Sequence, residues 1–168
     1  MLEITLFYIA ATVALVATVL AMTRTNAIHA LIYLIVSLLA VAVIFYLIGA
    51  AFAAALEIVI YAGAIMVLFV FVIMMLNLGE KGDQRERQWL RPSVWFGPAF
   101  LTFILFAELL YMLNGIEGPA STEAVSAKEV GLTLFGPYVL AVEIASMLLL
   151  AGLVGSFHLG RRYLEREE

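Results

Sequence analysis

The stretch LEIVIYAGAIMVLFVFVIMMLNLG, Leu56 to Gly79, decides how this chain is read. It sets one acid, Glu57, near the head of an apolar run long enough to cross a bilayer, which takes ~20 residues. Its apolar residues go all the way round a helix instead of forming one stripe. That pattern belongs to a helix whose surroundings are lipid or other buried helices. The rest of the chain has the same character. Of 168 residues, 65% are hydrophobic and 13% charged, and the mean hydropathy is +1.09. A water-soluble domain carries about a quarter charged residues, so lipid must be the main solvent here.

Working outward, apolar runs of spanning length fall at about 4–22, 27–49, 54–77, 94–114 and 137–158. In hydrocarbon only helices and closed barrels satisfy the backbone, and the alternating pattern of a barrel is absent. The expected fold is therefore an all-α membrane protein of five transmembrane helices, a single transmembrane domain over 1–168. The N-terminal Met-Leu-Glu lacks the positive flank of a secretory signal, so the first run reads as a retained span. Basic residues are lopsided. Arg24, Lys81, Arg85, Arg87, Arg91, Arg161, Arg162 and Arg166 fall on one side of the bilayer, and Lys128 on the other. The positive-inside rule puts the N-terminus outside and the C-terminus in the cytoplasm. Trp89 and Trp95 fit an inner aromatic belt, Tyr111 and Tyr138 an outer one.

Local signals agree with this layout. Asn26 is placed to cap the second span and Pro137 to open the fifth. Ser126-Ala-Lys-Glu129 reads as a capping box, with Gly131 as a stop, giving a short surface helix over about 126–130. The connection GAAFA, 49–53, joins the second and third spans. The charged run EKGDQRER, 80–87, reads as a solvated loop. Small residues recur four apart at Ala51/Ala55, Ala141/Ala145, Ala151/Gly155 and Gly152/Ser156, where helix backbones can approach closely, within the chain or against other subunits.

Composition also excludes. There is no cysteine, hence no disulfide, iron–sulfur cluster or thiolate zinc site. His29 and His158 belong to no metal-ligand spacing, and His29 reads as an interfacial histidine. A net charge of -4 offers nucleic acid no basic field. No cofactor or metal is expected on this chain, and no active site of its own.

Three acids remain inside the spans: Glu57, Glu108 and Glu143. A carboxylate at mid-membrane costs roughly 2.5–3.5 kcal/mol on insertion scales, so a part in ion or proton movement is the default reading. The plain alternative is a protonated acid hydrogen-bonded to a neighbouring helix. Glu57 has Tyr61 at i+4 on the same helix face, and Glu143 has Ser146 at i+3. Glu108 has only apolar neighbours and Tyr111. Gly63, within Ala62-Gly63-Ala64, has no bulk to resist local rewinding. Such a π-bulge often marks a functional site, but periodicity leaves the winding open.

With those residues in view, the third span resembles the signature helix of subunit J of bacterial NADH:quinone oxidoreductase, respiratory complex I. The mitochondrial counterpart is NADH dehydrogenase subunit 6. The likeness extends to TRTNAIHALIYLIVSLLA at 23–40, RQWLRPSVWFGPA at 87–99 and SAKEVGLTLFGPYVLAVEIASMLLLAGLVGSFHLGR at 126–161. The resemblance implies a non-redox subunit of a proton-pumping complex in the bacterial plasma membrane. Its partners would be the quinone-site subunit, subunits A and K and the antiporter-like subunits. FMN, iron–sulfur clusters and quinone would be held by other subunits. The family's third-helix acid maps onto Glu57, its tyrosine and glycine onto Tyr61 and Gly63, and its fifth-helix acid onto Glu143. A π-bulge is implied at Tyr61–Ala64, with Val67 and Phe69 near an apolar gate on a hydrated path. Two other readings stand beside it: an assembly scaffold, and the equivalent subunit of a cation/proton antiporter or membrane-bound hydrogenase.

Overall fold

Lipid offers a bare amide no partner, and the chain answers with helix in every stretch of spanning length among the described residues. A computed structural model describes residues 2–76, 92–114 and 125–164. The elements are α1 (Leu2–Thr23), α2 (Ala27–Leu47), α3 (Ala51–Leu56), a π-helix (Glu57–Ile65), α4 (Met66–Leu76), α5 (Pro92–Asn114), α6 (Ala127–Leu134) and α7 (Val139–Leu164). Five stretches are long and apolar enough to span: Ile4–Thr23, Ala27–Leu47, Ala51–Met75, Trp95–Met112 and Val139–Arg161. The third runs unbroken through α3, the π-helix and α4. Trp89 and the run 80–87 lie outside the described residues.

The boundaries carry small corrections with physical causes. Asn26 caps α2 as the spacing suggests, its side-chain oxygen accepting from the Ile28 and His29 amides at 2.9 and 3.4 Å. The link between the second and third spans is shorter than GAAFA, because Ala51 is already helical. Gly49 makes this tight turn at φ 84°, a left-handed conformation that glycine enters without a Cβ penalty. Pro137 does not open the fifth span. It lies in a turn in which Tyr138 donates to the Thr133 carbonyl and Val139 to the Gly136 carbonyl, and α7 begins two residues later. Gly131 does not stop the surface helix, which runs on to Leu134. Glycine inside a helix costs up to about 1 kcal/mol, which the capping box upstream helps to offset.

The described residues form two compact units, Met1–Val125 and Ser126–Glu168. In the first, α1 and α2 make the main pair, and α5 packs on both. Val13, Ala14, Ala17, Tyr33, Val36, Ala40, Leu101 and Leu105 form its buried cluster. Since lipid is as apolar as leucine, such a pair is held by close packing and by polar contacts. Ala10, Ala17 and Ala40 are fully covered, which keeps the backbones near. The Thr18 and Ser37 hydroxyls lie 2.7 Å apart, and both reach the Ala14 carbonyl, at 2.8 and 3.1 Å. Arg24 donates to the Tyr33 hydroxyl at 3.3 Å and lies over the same ring, 5.1 Å from its centroid. That hydroxyl rests directly against Gly97 of α5, in the space a Cβ would take.

In the second unit, the α6 capping box is complete. The Ser126 hydroxyl accepts from the Glu129 amide at 3.3 Å, and the Ser126 amide donates to the Glu129 carboxylate at 2.8 Å. These donors, the backbone amide first and the hydroxyl second, hold the Glu129 carboxyl below its ordinary value. The side chains of α7 from Val139 to Arg161 are almost all exposed, and a Cβ at Gly152 or Gly155 would meet nothing within 4 Å.

Two outcomes are expected. Gly97→Ala should lower the thermal unfolding temperature in detergent, by the equivalent of ~1–3 kcal/mol for overpacking. Tyr33→Phe added to it should recover part of that loss; no recovery would separate Gly97 from Tyr33. For Glu129, a depressed carboxyl contributes stability above the unfolded-state value, and loses it as pH falls through the folded value. Acidification should therefore loosen the first turn of α6, seen in NMR shifts of Lys128 to Val130, and Glu129→Gln should flatten that response.

Candidate functional site

The residues singled out in the third span come together around one change of winding. Glu57 to Ile65 form a π-helix of nine residues, EIVIYAGAI. At its end the Met66 amide is shared between the Gly63 carbonyl, three residues back, and the Tyr61 carbonyl, five residues back rather than four. Gly63 is the seventh of these nine residues. A Cβ there would come within 3.1 Å of the Ile58 carbonyl, again five residues back, tighter than an ordinary contact. Glycine avoids that close approach. Tyr61, Ala62, Gly63 and Ala64 all belong to this segment, whereas Val67 and Phe69 stand just beyond it on α4.

The wide turn also changes what stands next to Glu57. In α-winding, one full turn from Glu57 falls between Ile60 and Tyr61; in π-winding it falls between Tyr61 and Ala62. Tyr61 therefore neighbours the acid in both states, on opposite flanks. Glu57 is half-buried, while Tyr61, Val67 and Phe69 are exposed. Ile58, one residue on, lines a groove of about 440 Å³ with Tyr46, Ala54, Leu105 and Leu109. The π-helix thus borders on α2 and α5 through one apolar groove.

Depth corrects the sequence reading. Its proposed span limits put Glu57 some 5 Å in and Glu143 about 9 Å. The third span begins at Ala51 and α7 at Val139, so Glu57 is six residues in and Glu143 four, about 9 and 6 Å. Glu143 stands in the second unit and is exposed. Its expected polar neighbour is otherwise engaged, for the Ser146 hydroxyl donates to the Glu143 backbone carbonyl at 2.7 Å.

Glu108, whose sequence neighbours are apolar apart from Tyr111, is the most covered of the three at 5% exposure. Neither carboxyl oxygen has a hydrogen-bond partner. A signal was there to be read: Leu101, Leu105 and Glu108 are spaced i, i+4, i+7, which puts the acid on the packed face of its helix. His29 is half-buried with its Nε2 unpartnered. Among the described residues, no group of three or more histidine or acidic side chains could hold a metal.

These features are those of a helical protein with five spans of membrane-crossing length and a wound-out third span. Comparison with known proteins assigns the family. The model of NADH-ubiquinone/plastoquinone oxidoreductase chain 6 matches residues 6–159. NADH-quinone oxidoreductase subunit J of Escherichia coli strain K12 is 59% identical over 157 residues, 92% of this chain and 85% of that one. The subunit J of Pseudomonas aeruginosa is 55% identical over 158 residues, 93% and 95% of the two chains. That of Buchnera aphidicola from Schizaphis graminum is 50% identical over 156 residues, 92% and 96%. The chain belongs to this family of membrane subunits of NADH-quinone oxidoreductase, complex I.

Gly63→Ala is expected to favour α-winding, since its methyl group would crowd the Ile58 carbonyl in the wide turn. A cryomicroscopy map of the assembled complex should then show the Met66 amide paired with the Ala62 carbonyl in place of Tyr61. Unchanged pairing would mean that packing, not Gly63, sets the winding.

Proposed function

We propose that this chain couples quinone reduction to proton translocation in its complex by changing the winding of its third span. The observation that carries the reading is the π-helix itself, with Glu57 at its start, Tyr61 at its centre, Gly63 two residues further on and the apolar Val67 and Phe69 just past its end. Passing between π- and α-winding moves the register by one residue, and rotates whatever follows by about 100°. Val67 and Phe69 would swing into or out of a water path as Glu57 changes its flank on Tyr61. Two discrete windings make a bistable element, which a conformational step elsewhere in the complex can bias.

In this reading Glu57, Tyr61 and Glu143 are polar stations for protons, and redox chemistry stays with FMN, iron–sulfur clusters and quinone in other subunits. The N-terminus faces outward and the C-terminus the cytoplasm, in the bacterial plasma membrane, as the basic residues suggest. The quinone-site subunit, subunits A and K and the antiporter-like subunits are the partners. A second reading, an assembly scaffold, is favoured by the largely exposed side chains of α7, which need other protein or lipid around them. The names of the relatives favour complex I over an antiporter or hydrogenase.

The test is proton pumping per NADH oxidised in membranes carrying Glu57→Gln, with assembly followed alongside. Pumping should fall while the complex assembles normally. Full pumping in an assembled Glu57→Gln complex would leave this acid a packing group and support the scaffold.

A further inference from the structure

The groove that borders the π-helix has a length and a position that single out one kind of occupant. Ala42, Ala54 and Leu105, all buried, form its floor, and the exposed Tyr46, Ile58 and Leu109 stand along its walls. Tyr33 meets Gly97 near the start of α2 and of α5, so these two helices run parallel. One end of the groove therefore lies where α2 and α5 finish and α3 begins, at Tyr46, Met112 and Ala51. The other end lies deep inside the spans. Leu39 is eight residues before Leu47, Ile58 seven after Ala51 and Thr102 ten before Met112. At 1.5 Å per residue those depths are about 10–15 Å. The hydrocarbon core is ~30 Å thick, so the groove runs from one membrane face to the middle and stops there. That is the depth of one leaflet.

Its chemistry and its calibre narrow the choice further. No charged residue lines it, and its only hydroxyls belong to Tyr46 and Thr102. A water molecule needs 2–4 polar partners to stay, and finds too few here. A spanning helix from a partner would cross the whole thickness, where the groove covers half. Such a helix is ~10 Å across, so 15 Å of it takes up roughly 1,200 Å³. The groove holds about 440 Å³. A single acyl chain is narrow, apolar and one leaflet long. Lying in the groove, it restores to the walls the close contacts that an empty space removes. Tyr46 at the mouth, with its apolar ring and polar tip, is of the type that sits at headgroup level.

We propose that this groove binds one acyl chain of a membrane phospholipid, with the headgroup beside Tyr46 and the methyl end beside Ile58 and Thr102. The site is separate from the acids of the spans, none of which lines it. Because Ile58 is the second residue of the π-helix, the bound chain lies against the segment whose winding is wide. The binding does not depend on the coupling function proposed above.

The test uses the assembled complex in phosphatidylethanolamine vesicles that contain some of the same lipid with a photoreactive diazirine on one acyl chain. A diazirine at the methyl end should label Ile58 or Thr102, and one near the ester should label Tyr46 or Met112, as read by mass spectrometry of peptides. Ala55→Trp and Leu109→Trp would fill the groove from α3 and from α5. Each should lower the labelling about tenfold or more, the effect of some two fewer buried methylene groups. Leu110→Trp, exposed on α5 but outside the groove, should leave it unchanged. Labelling that ignores the position of the diazirine, or that persists in both groove-filling variants, would overturn the proposal. So would the absence of label from all four residues in the native complex, or a cryomicroscopy map with another subunit's side chains in the groove. These last two outcomes are read on the native complex and hold whether or not the variants assemble.

Discussion

In hydrocarbon every amide and carbonyl must find its partner within the chain, and the rest of this structure depends on that demand. It requires helix in all five spans, and it also limits how a span can move. A segment that broke open to pass a proton would expose backbone groups at several kcal/mol each. Exchanging four-residue for five-residue pairing avoids this, because each group trades one partner for another. The stretch from Glu57 to Ile65 is in the second pattern, with Gly63 removing the one side chain that would crowd the Ile58 carbonyl. The membrane thus permits a change of register where it forbids a break.

The same demand shapes the packing. With no hydrophobic drive between helices, α1 and α2 are held by alanines that let the backbones close up and by the Thr18–Ser37 pair, which shares the Ala14 carbonyl. Tyr33 extends the arrangement to α5, its ring under Arg24 and its hydroxyl against Gly97. Among the described residues, the buried side-chain polar atoms without a partner are His29 Nε2 and the two Glu108 carboxyl oxygens.

Much of this was legible from residues alone. Run length and all-round hydropathy set the five spans, and Asn26 and Ser126 marked two helix starts, because caps depend on one side chain and the next few amides. Where the reading slipped, the deciding facts were not local. Pro137 can serve a first helical turn or the turn before it, and only the carbonyls of Thr133 and Gly136 chose the latter. Gly131 reads as a stop, yet the helix continues to Leu134. The winding at Gly63 could not be read from periodicity, since α- and π-pairing share the same apolar pattern; it was expected only through a family resemblance. The burial of Glu108 shows in the helix face it shares with Leu101 and Leu105, not in its neighbours in sequence.

The turn at Gly49 has a mechanical consequence. Three residues, Ile48 to Ala50, tie the end of α2 to the start of α3, and each of them donates a backbone hydrogen bond into the last turns of α2. The Gly49 carbonyl is itself taken by the Val125 amide at 3.1 Å. That end of the third span is clamped. Under the proposed function, a twist generated between Glu57 and Ile65 would have no slack behind it and would run forward into α4, as torque on a shaft fixed at one end turns the other. In the proposed change of winding, the clamp would give the span a direction: Val67 and Phe69 would turn, while Ala51 to Leu56 held still.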